Sequence, residues 1–299
     1  MRPCDAGLHL PSYAAPLAHG GVRRYVCPRF GEPTGRRFFE VNTLPKRHWR
    51  DMATMDFGGD VSQWIAVHPL AAIEQHGPHL PLGTDAIIAE AMVERCSAEL
   101  PADLPVTFLP VQQIGKSTEH LEFSGTVTLG WQAAIQNWID IAESLSRSGV
   151  RKLVLVTSHG GNLAPMEIVA REMRARHSML CVTTSWEKLG GYRGEEADIH
   201  GGHTETSLML AIRPDLVDMD EAHDFASAQT VMKSGNKRLG FHSSDANIAW
   251  LADDLNEDGV VGNAATATAK LGEHYLASAV EGFCELAAEI AATDPPAKA

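Results

Sequence analysis

The chain has no long apolar run. Nowhere do about 18 apolar residues follow one another, the length a membrane-spanning helix needs, so no membrane span is expected. Basic charge is scarce: 25 Lys and Arg stand against 38 Asp and Glu, a formal net charge of −13. An acidic surface repels a phosphate backbone, which argues against nucleic acid as a partner. The short basic clusters Arg23-Arg24, Arg36-Arg37 and Lys46-Arg47 read as solvated surface. Cysteine is sparse. Cys4, Cys27, Cys96, Cys181 and Cys284 are odd in number, widely spaced and without a Cys-x-x-Cys pair. That fits a reducing cytoplasm better than a disulfide framework. No basic stretch leads into an apolar one near the start, so no signal peptide is expected.

Several catalytic signatures are missing as well. There is no His-Glu-x-x-His and no Gly-x-Ser-x-Gly. Gly115-Lys116-Ser117 resembles the end of a phosphate-binding loop, but Pro110 stands where its first glycine belongs. Cys96 and Cys284 have no histidine near them in a pattern that would make a thiol nucleophile.

What is present is an ordinary globular composition, 44% hydrophobic and 21% charged over 299 residues. Apolar runs of strand length, at 64–67, 106–111, 153–156 and 179–183, alternate with helical spacings near 85–100, 131–145, 164–176 and up to Ile212. The alternation predicts an α/β fold, three-layer αβα, with a mostly parallel central sheet. Residues 1–45 read as an irregular N-terminal arm, 46–292 as a single catalytic domain and 293–299 as a frayed tail. Residues 215–262 read as irregular, and a last helix is expected over about 264–292.

The densest polar cluster is Glu74-Gln75-His76-Gly77-Pro78-His79, closed by Asp85. In an extended segment Glu74 and His76 point to the same side. Taken singly, Asp85 reads as a helix N-cap, and His76 or His79 as a hydrogen-bonded core histidine. Together they form a set that a divalent ion requires, because it wants several N and O ligands from a stiff backbone. His159 follows an apolar strand at its carboxyl end, where open α/β sheets bind ligands. Its alternative is a strand-to-helix turn capped by Asn162. Glu205 shares a helical stripe with Leu208, Met209 and Ile212, so it needs either an arginine or a cation. One of His200 and His203 is a candidate ligand or proton carrier.

These segments together resemble the creatininase family of metal-dependent amidohydrolases. The motifs are Glu74-Gln75-His76-Gly77 with Asp85, His159-Gly160-Gly161-Asn162, and His200-Gly201-Gly202 with Glu205-Thr206-Ser207, in that order. The Glu119-His120 loop and the turn Phe123-Ser124-Gly125-Thr126 are also similar to the family. The resemblance implies two divalent ions per chain, of Zn, Mn or Fe. Glu74 and His159 would belong to one ion, His76 to the other, and Asp85 would bridge. Creatininase proper carries a ligand carboxylate at the position of Gly161, so Glu205 is expected to supply it here. It carries a substrate-contacting tyrosine at Gly160 and a glutamate at Ile199, so creatinine itself is not the expected substrate.

The activity implied is hydrolysis of a C–N bond in a small, cyclic amide by a metal-bridging hydroxide, with His200 and Glu205 catalytic. Trp186, Tyr192, His203 and Glu119 are the candidate substrate contacts. The alternatives are ring opening of a keto-cyclitol, a peptidase-like relative on the same site, and a non-catalytic metal-dependent binding protein. The partner expected is a small-molecule substrate, and the resemblance implies a homohexamer.

Overall fold

The computed structural model describes residues 44–192 and 198–297. The arm expected over 1–45 lies almost wholly outside them. Four strands, β1 (Ile65–Leu70), β2 (Val106–Phe108), β3 (Lys152–Thr157) and β4 (Leu180–Ser185), form one sheet in the order β2-β1-β3-β4. Every pairing in it is parallel, and Ile65 is in register with both Val106 and Lys152. The central strands β1 and β3 are buried along their whole length. Their branched side chains alternate between two cores, as a period of two demands. Ile65, Val67, Val154 and Val156 enter one core, and Ala66, Leu70, Leu153 and Leu155 enter the other.

Helices α1 (Thr84–Glu99), α2 (Trp131–Arg147), α3 (Leu163–His177), α4 (Trp186–Gly190) and α5 (His203–Ile212) come next, in chain order. They are followed by α6 (Ala228–Gly235), α7 (Ala252–Leu255) and α8 (Ala269–Ala291). The first core takes Met92 and Cys96 from α1, Leu208 and Met209 from α5, and Leu276 and Phe283 from α8. The second takes Trp138 and Leu145 from α2 with Met166, Val169 and Met173 from α3. Helices therefore cover both faces of a parallel sheet, as the alternating sequence pattern requires. Each large apolar side chain so buried contributes roughly 1.5–3 kcal/mol. Among the described residues no helix is long and apolar enough to cross a membrane.

Three details depart from the expectation. Strand β2 stops at Phe108, since Pro110 has no N–H to continue a ladder. Residues 215–262 are not irregular. They hold α6, α7 and two small sheets, β5 (Asp224–Phe225) with β8 (Gly262–Asn263), and β6 (Leu239–Gly240) with β7 (Ala246–Asn247). Side-chain-to-backbone bonds organise part of this region without any periodic signal. Gln229 accepts from Phe241 N at 2.7 Å and donates to His242 O at 2.6 Å. Finally, α8 begins at Ala269, where Thr268 Oγ1 accepts from Leu271 N, rather than near Ala264.

The topology positions the site. From β1 the chain moves to β2 on one side, while β3 lies on the other. The carboxyl ends of β1 and β3 therefore flank a switch point, the crevice where open α/β sheets bind ligands.

Candidate metal centre

The segment after β1 supplies Glu74, His76 and, at the second residue of α1, Asp85. The segment after β3 supplies His159, and the first turn of α5 supplies Glu205. Glu74, Asp85 and His159 bring ligand atoms within 4.8 Å of one another, and so do His76, Asp85 and Glu205. Asp85 is common to both trios. It does not cap α1: neither carboxylate oxygen has a hydrogen-bond partner. Glu74 Oε1 and His76 Nε2 are likewise buried without partners. A third trio, Glu74, His76 and His200, meets the same distance.

The imidazoles explain why these atoms are unpartnered. A backbone carbonyl can only accept, so the ring nitrogen facing one must carry the proton. His76 Nδ1 donates to Glu74 O (3.1 Å), His159 Nε2 to Lys116 O (3.0 Å), and His200 Nε2 to Gln75 O (2.7 Å). The remaining nitrogen of each ring faces a carboxylate. His76 Nε2 is 3.6 Å from Glu205 Oε2, His159 Nδ1 is 3.0 Å from Glu74 Oε1, and His200 Nδ1 is 3.6 Å from Glu74 Oε1. With the rings neutral, lone pairs meet lone pairs in a buried space, a place for a cation or a proton. Such a donor set fits divalent cations, and the backbone bonds are those that orient ligand histidines.

Electrostatics points the same way. Burial would raise Glu74, but His159, His120 and His200 outweigh it and hold its carboxyl well below the usual range. Asp85 goes the other way: burial, then the charge of Glu74, push it well above. Burial pushes Glu205 up to about 7, opposed by His200 and the Gly201 N–H. That N–H donates to Glu205 Oε2 at 2.6 Å. The arginine considered as a partner for Glu205 is not among its described contacts, and its carboxylate is 21% exposed. At His159 the surrounding carboxylates overcome burial and raise the ring well above its ordinary value. The centre of the cluster therefore attracts positive charge.

A cavity of about 150 Å³ opens beside the cluster, lined by Ser158, Gly160, Trp186, Tyr192, His200 and Glu205 among others. Trp186 and Tyr192, two of the candidate substrate contacts, line this cavity. His203 and Glu119 do not line this cavity. His203 Nδ1 turns to Thr266 Oγ1 at 2.8 Å, and Glu119 lies behind His159, with Oε1 3.4 Å from Nε2. Burial would raise Glu119, but His159 and Lys116 hold it down to about 2. His79 braces the loops through Gly201 O and Thr206 Oγ1, both at 2.9 Å. Asn162 does not cap α3. It accepts from Lys116 N and donates to Ala71 O, tying three loops together.

Three residues escaped the sequence reading. Ser117 Oγ donates to Glu74 Oε2 and fixes that carboxylate. Gln75 Nε2 donates to His120 Nδ1 and to Gly259 O, both at 2.7 Å. The His120 ring packs against that of His200, tilted by 33° with centroids 4.1 Å apart. The signal for His120 is its place in the Glu119-His120 loop, and Ser117 lies in a segment that fails the phosphate-loop pattern.

Comparison with known proteins gives a consistent picture. The family model "Creatininase: Creatinine amidohydrolase" matches residues 48–287. The mycofactocin precursor peptide peptidase of Mycobacterium tuberculosis is 33% identical over 223 residues, 72% of this chain and 81% of that protein. The creatinine amidohydrolase of Pseudomonas putida is 29% identical over 203 residues, 60% of this chain and 75% of that protein. A solved structure described as "Creatininase Mn" superposes with a TM-score of 0.65 at 25% identity, covering 82% of this chain and 98% of that one.

Proposed function

This chain belongs to the creatininase family, and from that premise we propose that it is a metal-dependent amidohydrolase built on two divalent ions. Glu74, Asp85 and His159 hold one ion, and His76, Asp85 and Glu205 hold the other. The observation that carries this is the set of imidazole lone pairs facing carboxylate oxygens, with each ring proton spent on a backbone carbonyl. Bound there, such ions supply Lewis acidity toward a carbonyl oxygen and toward water.

The chain's own residues do the rest. Ser117 and the Lys116 carbonyl keep Glu74 and His159 in place. His200 reaches the cavity, and its Nε2 is committed to Gln75 O. Its Nδ1 is therefore the atom that carries a proton to the departing nitrogen. Burial, helped by His76, draws His200 down to about 4, so the ring is neutral near pH 7 and able to accept before it donates. Trp186 and Tyr192 wall the cavity.

For the substrate, an amide within or at the end of a peptide is the first reading. A relative at 33% identity is named for a precursor peptide. Gly160 on the cavity wall leaves open space around it. The second reading is the small cyclic amide of the original expectation, favoured by the cavity of about 150 Å³, which is of a size to take a benzene-sized group. Zn, Mn and Fe all suit N and O ligation of this kind. A cytoplasmic setting is supported by the free thiols of Cys96, Cys181 and Cys284. Assembly as a hexamer is supported by the family resemblance.

The test is metal analysis joined to a substrate panel of short peptides, lactams and a keto-cyclitol. The wild-type chain is expected to hold two ions and to cut an amide. His159→Ala is expected to lose ion and turnover together, His200→Ala turnover alone. A wild-type chain without metal would sink the proposal. Metal with no turnover of any panel member would favour a binding protein, and turnover confined to the keto-cyclitol would replace the bond cleaved.

A further inference from the structure

Gly161, two residues after His159, has no room for a side chain. A Cβ there would lie 2.0 Å from Glu119 Oε1, 2.3 Å from His159 Nε2 and 2.7 Å from Lys116 O. The neighbouring Gly160 is the opposite case, with nothing within 4 Å. The space beside Gly161 is filled by the Glu119 carboxylate, which is only 12% exposed and stands 3.4 Å from His159 Nε2. Lys116 acts twice on this group. Its ammonium pairs with Glu119 Oε2, and its carbonyl accepts from the same His159 nitrogen at 3.0 Å.

A surface ion pair between residues three apart would be a weak and dispensable feature. This one differs, because its carboxylate is largely buried and has the rear of a proposed ligand ring as its second partner. A carboxylate behind a histidine fixes the ring's orientation and tautomer and enriches the opposite nitrogen in electron density. The opposite nitrogen here is His159 Nδ1, 3.0 Å from Glu74 Oε1 and 3.6 Å from Asp85 Oδ2.

Resting on the metal reading above, we propose that Glu119 is a positioning residue for one of the two ions, acting through His159, and that Gly161 is glycine to make room for it. Glu119 moves no proton to substrate and does not touch the cavity. With Lys116 it forms a backing that presents His159 Nδ1 to the ion shared by Glu74 and Asp85. His76 and Glu205, at the other ion, are untouched by it.

The asymmetry gives the test. Zinc titration against a competing chelator, on the full chain, reads the affinities of the two ions separately. Glu119→Gln keeps the shape and removes the charge. It is expected to weaken one ion by about 10–100-fold, leaving the other and the melting temperature of the metal-free protein unchanged. Glu119→Asp should recover part of the loss. Gly161→Ala should weaken the same ion, because its Cβ displaces both Glu119 and His159. Two results would overturn the role of Glu119 alone: unchanged affinities in Glu119→Gln, or an equal loss at both ions with a lowered metal-free melting temperature. A wild-type chain that takes up no zinc would overturn the metal reading and this inference with it.

Discussion

Strand β3 has a buried ionisable group near each end, and the fold treats the two in opposite ways. At its start, Lys152 is fully buried, and its ammonium donates to Ile290 O at 2.9 Å and Ala291 O at 3.1 Å. Those carbonyls belong to the last turn of α8, where a helix has unmatched acceptors and a partial negative charge. The chain satisfies this charge from its own backbone. Just beyond the other end, His159 faces Glu74 and Asp85, and Asp85 has two buried oxygens with no hydrogen-bond partner. Leaving a buried charged group unsatisfied costs more than the ~1–3 kcal/mol of a neutral one. Thr107 Oγ1 and Trp138 Nε1 are also buried without partners, but both are neutral, and neither belongs to a ligand trio. It is convergence of charged, unpartnered atoms that separates a binding site from a packing defect. One end of the strand serves stability, and the other gives up stability for a ligand.

Asp85→Asn bears hardest on this contrast. Both trios lose their shared carboxylate, so both ions and turnover should be lost. The loss should exceed the ~100-fold upper range of perturbing a group behind a ligand. In the metal-free protein the same change should stabilise, by on the order of 1–3 kcal/mol, because a carboxyl whose ionisation burial and Glu74 oppose is replaced by a neutral amide. Denaturant unfolding in chelator measures it, and a destabilised metal-free variant would mean that Asp85 is structural.

His68, in the middle of β1, represents a third treatment, since it remains uncharged. Burial draws it from 6.5 down to about 4. The unfolded chain binds this proton at higher pH than the folded one does. Its contribution is therefore complete above pH 6.5 and is lost as the pH falls through about 4. The full difference is on the order of 3 kcal/mol. His68→Gln should flatten that part of the stability curve between pH 6.5 and 4. An unchanged slope would show that His68 gains its proton in the folded state. Lys152→Met follows, with a loss of about 1–3 kcal/mol as Ala291 O loses its ammonium donor, while Ile290 O keeps Thr293 N at 3.2 Å. It should leave metal content and turnover intact, and a drop in either would break the separation between the ends.

Much of this was readable beforehand, for different reasons in different places. β3 announced itself because a strand buried on both faces must be a continuous apolar run, Leu153-Val154-Leu155-Val156. α2 did so through the stripe of Ile135, Trp138, Ile139, Ala142 and Leu145. Glu74, His76, Asp85, His159 and Glu205 were legible because acidic and imidazole side chains on buried elements need a reason to be there. The structure brings all five together. Ser117 and Gln75 were not legible, since a serine or glutamine in a loop has many ordinary uses. Their roles come from contacts 43 and 45 residues distant in sequence. The placement of Glu119 behind His159, rather than in the cavity, depended on the fold of the 115–120 loop, which no periodicity encodes. The same holds for α6 and the small sheets of 224–263, pinned by single side chains such as Gln229.

The smallest expected effect comes from the other member of the glycine pair. Gly160 lines the cavity, whereas Gly161 is wedged against Glu119 and His159. A Cβ on Gly160 would meet nothing within 4 Å, so Gly160→Ala should change stability by no more than about 0.5 kcal/mol and leave both ions in place. Its effect should fall on substrate binding alone, as a change in KM of less than about tenfold for one small group added to a pocket wall. If Gly160→Ala instead lowers metal content, the two glycines are not doing different jobs. The wall of the cavity and the backing of His159 would then be one rigid unit, and the site would extend further from the ions than the unpartnered atoms alone define.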